Sequence, residues 1–228
     1  MQTIADRLLC AHQLIAQSIK SADRPANSVK LLAVSKTKPV SDLQQAYDAG
    51  QRLFGENYVQ EGIEKIKALN HLNGIEWHFI GSLQSNKTKL VAEHFDWVQS
   101  VDRFKIAQRL ANQRPSHLNP LNICIQINVD DESSKSGIII DQVSAFASQI
   151  TALPNLRLRG LMAIPKASSD RLQVTKSFQA MQSVYQALKA EYSFIDTLSM
   201  GMSSDLALAI ESNTTMVRIG TAIFGARN

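Results

Sequence analysis

Lys36 stands two residues past an almost continuously apolar run, Val29 to Val34. In alternating strand geometry Leu32, Val34 and Lys36 share one face, so a strand here aims a primary amine off its C-terminal end. A lysine flanking a strand is ordinarily solvated, whereas a desolvated one has a lowered pKa and forms imines with carbonyl compounds. Near the other end of the chain, Ser199-Met200-Gly201-Met202-Ser203-Ser204-Asp205 reads as a loop that opens a helix. Ser203, Ser204 or Asp205 can serve as N-cap, and the free N–H groups of the first turn make an anion site. Arg218-Ile219-Gly220-Thr221 ends a last short apolar run. Gly220 lets the main chain approach an anion, and Thr221 adds a hydroxyl and an N–H.

An imine-forming amine, a guanidinium and an anion cradle suit a phosphorylated aldehyde. Pyridoxal 5′-phosphate (PLP) needs these parts: an amine for its aldehyde, a phosphate cradle, and a group facing its pyridine nitrogen, commonly Asp or Arg. Arg218 suits the third role. A guanidinium can only donate, so it would bind an unprotonated ring nitrogen, weaken the ring as an electron sink and disfavour strong carbanion chemistry. A lysine Schiff-base aldolase acting on a sugar phosphate would use the same parts.

The elements that must position these groups alternate along the chain. Ile4, Leu8, Ala11, Ile15 and Ile19 lie on one helical face. After the first strand, Ser41 and Gln44 read as a capping box, and Gly50 stands where that helix would end. Arg52 to Gly55, Ile75 to Gly81, Trp97 to Val101 and Leu121 to Val129 read as strands two to five. Helices over Tyr58 to Leu69, Asn86 to His94 and Arg103 to Gln113 separate them. A stripe of Val143, Phe146, Ala147 and Ile150 precedes a strand over Leu156 to Ile164, and a long helix from about Asp170 follows. Ile195 to Met200 and Met216 to Ile219 are the last strands, with a short helix over Ser204 to Ser212 between them. Eight strands with intervening helices are the pattern of a (β/α)8 TIM barrel, an α/β fold whose sites lie at the C-terminal strand ends. An open doubly wound sheet is the alternative, and it would not explain why the count stops at eight. Nine residues follow Ile219, so no eighth helix is expected downstream, and the N-terminal helix is expected to cover that gap. Residues 1–228 thus read as one barrel domain with no second domain. Strand closure puts Lys36 and Arg218 on neighbouring strands, beside the loops after strands seven and eight, where barrels commonly bind phosphate.

Composition sets the outer bounds. Of 228 residues, 44% are hydrophobic and 19% charged, so neither a disordered nor a membrane protein is suggested. No apolar run approaches the roughly 20 residues of a spanning helix, and the first 21 residues lack a secretory apolar stretch. A cytoplasmic address is expected. The net charge of +4 and pI of about 9.1 are spread over the chain, so no nucleic-acid partner is expected. Cys10 and Cys124 have no metal-ligand spacing and read as reduced, semi-buried thiols.

Five stretches, Ala33-Val34-Ser35-Lys36-Thr37, Phe54-Gly55-Glu56-Asn57-Tyr58, His78 to Lys87, Ser199 to Ser203 and Val217 to Thr221, closely resemble the PLP homeostasis (YggS/PROSC) family. The resemblance spans nearly the whole chain. It implies a fold-type III PLP barrel similar to the N-terminal domain of alanine racemase. Lys36 would be the Schiff-base lysine, Arg218 would face the pyridine nitrogen, and Ser203, Gly220 and Thr221 would hold the phosphate, with Ser199 and Met200 in the same matched motif. Asn57 and His78, at the expected ends of strands two and three, join the cofactor set. The stretch Asn128 to Gly137, with Glu132 and Lys135, also looks like the family and lies near the mouth. The implied role is intracellular vitamin B6 homeostasis, by holding PLP and other B6 vitamers as a carrier or buffer that can supply apo PLP enzymes. No catalytic residue and no metal are assigned, and a monomer is expected. The alternative is a PLP-dependent amino-acid racemase of low activity. A racemase needs a base on each substrate face, and the resemblance implies that in alanine racemase a second domain and partner subunit complete that wall, whereas this sequence ends at Asn228, directly after strand eight.

Overall fold

The computed structural model describes residues 2–132, 135–166, 168 and 170–226. Its first helix, α1 (Ile4–Ser21), buries Ile4, Leu8, Ala11, Ile15 and Ile19 on one face. Thr3 and Asp6 close its N-terminus as a reciprocal capping box. Eight parallel strands follow: β1 (Lys30–Val34), β2 (Leu53–Glu56), β3 (Glu76–Phe79), β4 (Trp97–Val101), β5 (Leu121–Ile127), β6 (Leu156–Ala163), β7 (Thr197–Ser199) and β8 (Met216–Ile219). They hydrogen-bond in sequence order and close on themselves through β1 and β8, with Leu32 opposite Arg218. The connecting helices are α2 (Val40–Asp48), α3 (Val59–Ala68), α4 (Thr88–His94), α5 (Phe104–Gln113), α6 (Val143–Thr151), α7 (Arg171–Glu191) and α8 (Leu206–Glu211). The expected TIM barrel is the observed architecture.

Alternation in the strands divides the core in two. Outward residues such as Ala33, Phe54, Phe79 and Val98 pack under the helices in one continuous apolar layer. Phe79 meets Phe95 edge to face at 5.5 Å, and full burial of each ring contributes about 1.5–3 kcal/mol. The barrel lumen holds a separate small apolar cluster, Trp97, Cys124 and Met162, together with fully buried His78, Gln99 and Ser199.

Three expectations need correction. The capping box of Ser41 and Gln44 is not made: α2 begins at Val40 with Pro39 as N-cap, which places Ser41 inside the first turn, and the Gln44 amide donates to Asp48 instead. Gly50 does end that helix region, at φ +98°. A short helix, α9 (Thr221–Phe224), follows β8, and α1 packs on both α8 and α9, so the N-terminal helix supplements a final turn rather than replacing it. Neither cysteine is semi-buried; Cys10 is exposed and Cys124 lies fully enclosed in the lumen. Burial pushes the Cys124 thiol pKa up, which leaves it unreactive. Among the described residues no helix is long and apolar enough to cross a membrane.

Candidate functional site

At the C-terminal mouth of the barrel a cavity of about 310 Å³ receives Lys36 from the end of β1, Asn57 from the exit of β2, and Arg218 from β8. Ser203, Gly220 and Thr221 complete its polar wall, while Val34, Ile80 and Met162 form apolar surface. A larger cavity of about 560 Å³ lies against α1, between His12, Lys20 and Arg24. It takes no strand-end residue, so the mouth is the place where distant segments bring different chemistries together.

Lys36 is half-buried and follows a strand end that is held from below. The Ser35 hydroxyl donates to Glu56 Oε1 at 2.6 Å, and Lys65 Nζ donates to both that oxygen (2.8 Å) and the Ser35 carbonyl (2.7 Å). Lys65 also reaches Glu61, whose Oε1 accepts the N–H of Thr37 at 2.5 Å. Thr37 sits at φ +62°, a strained conformation for a β-branched residue. The main chain on both sides of Lys36 is therefore tied to one ion cluster. Lys65 is 4% and Glu56 0% exposed. Burial raises the Glu56 pKa, against the opposing pull of Lys65 and its hydrogen bond, and that of Ser35. Neither Glu56 nor Lys65 was singled out from the sequence. The available signal was a lysine inside the apolar stripe of α3, four residues after an acid.

Arg218 projects inward from β8 and is 4% exposed. Its Nη1 donates to the Ser199 carbonyl and hydroxyl, both at 2.8 Å, and its Nη2 donates to the Ala163 carbonyl at 2.8 Å. Those bonds fix the guanidinium in the cavity floor. Burial lowers its pKa to about 10, with Asp205 acting in the opposite direction, so it is a cation at neutral pH.

The loop after β7 differs in detail from its expected form. Asp205 occupies the N-cap position of α8, but its carboxylate accepts the Met202 N–H at 2.5 Å rather than an N–H of the helix. With only six residues in α8, the cradle is made by loop main chain. Among the described residues the N–H groups of Ser203 and Ser204 have no hydrogen-bond partner. Gly201 at φ +94° shapes the loop, and a Cβ there would lie 2.4 Å from that of Ala209. After β8, a Cβ on Gly220 would approach the Val34 carbonyl to 3.1 Å, so the loop after β8 packs directly beside β1.

Three sequence candidates do not line the cavity. His78 is not at a strand end: it points into the lumen from within β3, and Ile80, two residues on and inward too, takes the mouth position. His78 is completely buried, stacked on Trp97 at 4.9 Å, and burial, followed by Lys30 and Arg159, lowers its pKa to about 3. Ser199 lies under Arg218, and Met200 turns outward into the apolar layer. Lys135 contacts Glu132 at 3.1 Å and the Ile164 carbonyl at 3.3 Å near the rim; Ser133 and Ser134 of that stretch, and Asn228, lie outside the described residues. Asn57 stands out differently. Its Oδ1 is buried without a hydrogen-bond partner among the described residues, although it belongs to the cavity wall.

The alanine racemase N-terminal domain family matches residues 12–228. A pyridoxal phosphate homeostasis protein of Pasteurella multocida (strain Pm70) is 57% identical over 229 residues, covering 99% of this chain and 98% of the relative. PipY of Synechococcus elongatus PCC7942, solved with PLP bound, is 35% identical with a TM-score of 0.82, over 98% of this chain and 100% of PipY. An alanine racemase from Corynebacterium glutamicum shares the fold at a TM-score of 0.70 and 15% identity, with 98% of this chain matching 60% of the racemase. The chain belongs to the alanine racemase N-terminal domain family and, within it, to the pyridoxal phosphate homeostasis proteins.

Proposed function

We propose that this protein binds PLP at the barrel mouth, with Lys36 joined to the aldehyde carbon as a Schiff base, and that it serves intracellular PLP homeostasis. The observation that carries the reading is the convergence of Lys36, Arg218 and the two loops after β7 and β8 on one cavity. Its volume of about 310 Å³ falls in the range of small-molecule sites. The residues present also fit the group chemically. Ser203 and Ser204 N–H groups suit phosphate oxygens, Arg218 suits an unprotonated ring nitrogen, and the orphaned Asn57 Oδ1 requires a donor, which a ring hydroxyl would supply. Imine formation joins Lys36 Nζ to the aldehyde carbon and releases water; the bond is reversible by hydrolysis, as a carrier needs.

Carrier chemistry is favoured over turnover by the cavity wall itself. Among the described residues lining it, Lys36 is the only general-base candidate; Arg218 is a fixed donor. Racemisation calls for a base on each substrate face, so any amino-acid turnover is weak. The reading further takes residues 1–228 as one domain, working as a cytoplasmic monomer that can hold B6 vitamers and pass PLP to apo enzymes. Reconstitution tests it: addition of PLP should generate a visible absorption band in wild type and none in Lys36→Ala. Apo PLP enzymes should regain activity faster from the loaded protein than from free PLP. No band in wild type would overturn the binding assignment, and equal transfer rates would overturn delivery.

A further inference from the structure

A polar path runs through the barrel lumen beneath the cofactor cavity. Small barrels fill this space with branched apolar side chains, but here Arg218 Nη1 donates to Ser199 Oγ at 2.8 Å, and Ser199 Oγ donates to Gln99 Oε1 at 2.7 Å. Gln99 Nε2 lies 2.9 Å from His78 Nδ1. Gln99, Ser199 and His78 have no solvent exposure, so each link acts in a low-dielectric setting.

The hydrogen-bond directions form one consistent series from Arg218. A guanidinium only donates, so the Ser199 oxygen accepts and its own hydrogen turns to Gln99 Oε1. That orients the Gln99 amino group toward His78 and toward Met216 Sδ at 3.2 Å. His78 Nδ1 must then accept, which leaves the ring proton on Nε2. Nε2 is buried with no hydrogen-bond partner among the described residues, and Glu76 Oε2 is 3.9 Å from it. The chain thus reaches from the mouth to the lower half of the barrel.

We infer that Gln99 and His78 are positioning residues for Arg218: they hold the Ser199 hydroxyl as an acceptor facing the guanidinium, and so set its orientation in the cavity floor. The inference rests on the PLP reading of the mouth only for its ligand-dependent measurements. Gln99 was not singled out from the sequence; the available signal was a polar residue at the centre of the strand Trp97–Val101.

Nitrogen-15 NMR of histidine-labelled protein tests it, with His78 assigned among the five histidines by a His78→Gln variant. Ligand-free wild type should show an unprotonated, accepting Nδ1 and a protonated Nε2. Ser199→Ala and Gln99→Leu should each displace those shifts while far-ultraviolet circular dichroism stays unchanged; should Gln99→Leu not fold, Ser199→Ala decides. Adding PLP should move the His78 shifts although the ring is outside the cavity, and bound PLP should absorb at a displaced wavelength in Gln99→Leu. A proton on Nδ1, or His78 shifts indifferent to Ser199→Ala, would overturn the inference. So would shifts unmoved by PLP in protein whose Lys36 carries a borohydride-fixed pyridoxyl group. If borohydride fixes nothing on wild type, the PLP reading fails by itself, and the ligand-free tautomer with its response to Ser199→Ala still decides the positioning claim.

Discussion

Lys65 Nζ lies 2.7 Å from the carbonyl oxygen of Ser35, the residue immediately before Lys36. A buried ammonium therefore holds the strand end from which the imine-forming lysine projects. Lys65→Ala removes that donor and leaves the enclosed Glu56 carboxyl without its cation. Breaking one partner of a buried pair costs about 3–5 kcal/mol, and chemical denaturation should show a loss of that size. A loss below about 1 kcal/mol would mean the ion cluster is not a structural anchor.

The same cluster gives a pH signature. Because burial raises the folded pKa of Glu56, its favourable contribution is complete below the ordinary glutamate value and fades as pH rises through the raised one. Lys65→Met removes the strongest influence that lowers this pKa, so the window extends upward in the variant. The stability gap between wild type and Lys65→Met should narrow as pH is lowered through the acid range, measured by urea unfolding at a series of pH values. A gap independent of pH would contradict the assignment.

Gly201→Ala should damage the loop after β7 and PLP retention together. The residue sits at φ +94°, and its new methyl would lie 2.4 Å from Ala209 Cβ. A left-handed conformation costs an L-residue about 1–2 kcal/mol, and overpacking adds about 1–3 kcal/mol. Thermal unfolding and equilibrium dialysis with PLP check both effects; unchanged PLP retention would remove this loop from the phosphate site.

Arg218→Ala leaves the Ser199 and Ala163 carbonyls without their guanidinium donor. Destabilisation of at least about 2 kcal/mol is expected from the orphaned acceptors. The variant should also release PLP more readily and shift its absorption. Identical spectra and affinity would strip Arg218 of its place beside the pyridine ring.

Much of this arrangement could be read from residue order because barrel strands obey a period of two and helices one of 3.6. The eight strands and the helical faces of α1, α6 and α7 followed from that, and closure then made Lys36 and Arg218 neighbours. What periodicity does not give is depth along a strand. His78 and Ile80 share an inward face, and which of them reaches the mouth depends on where β3 ends relative to β2 and β4. Helix starts are similarly underdetermined: Pro39, with its φ fixed near that of a helix entry, displaced Ser41 from the cap. The Lys65–Glu56 pair and the Ser199–Gln99 link join residues 9 and 100 positions apart, and only tertiary packing brings either pair into contact.

Borohydride reduction of the PLP-loaded protein, followed by digestion and peptide mass mapping, tests the central claim most directly. Reduction fixes an imine as a stable secondary amine at the lysine that formed it. The expected result is a single pyridoxyl group on the peptide containing Lys36, and none in Lys36→Ala protein of unchanged circular dichroism. A pyridoxyl group spread over other lysines, or a visible band that survives in Lys36→Ala, would contradict the assignment of Lys36 as the point where the cofactor is held.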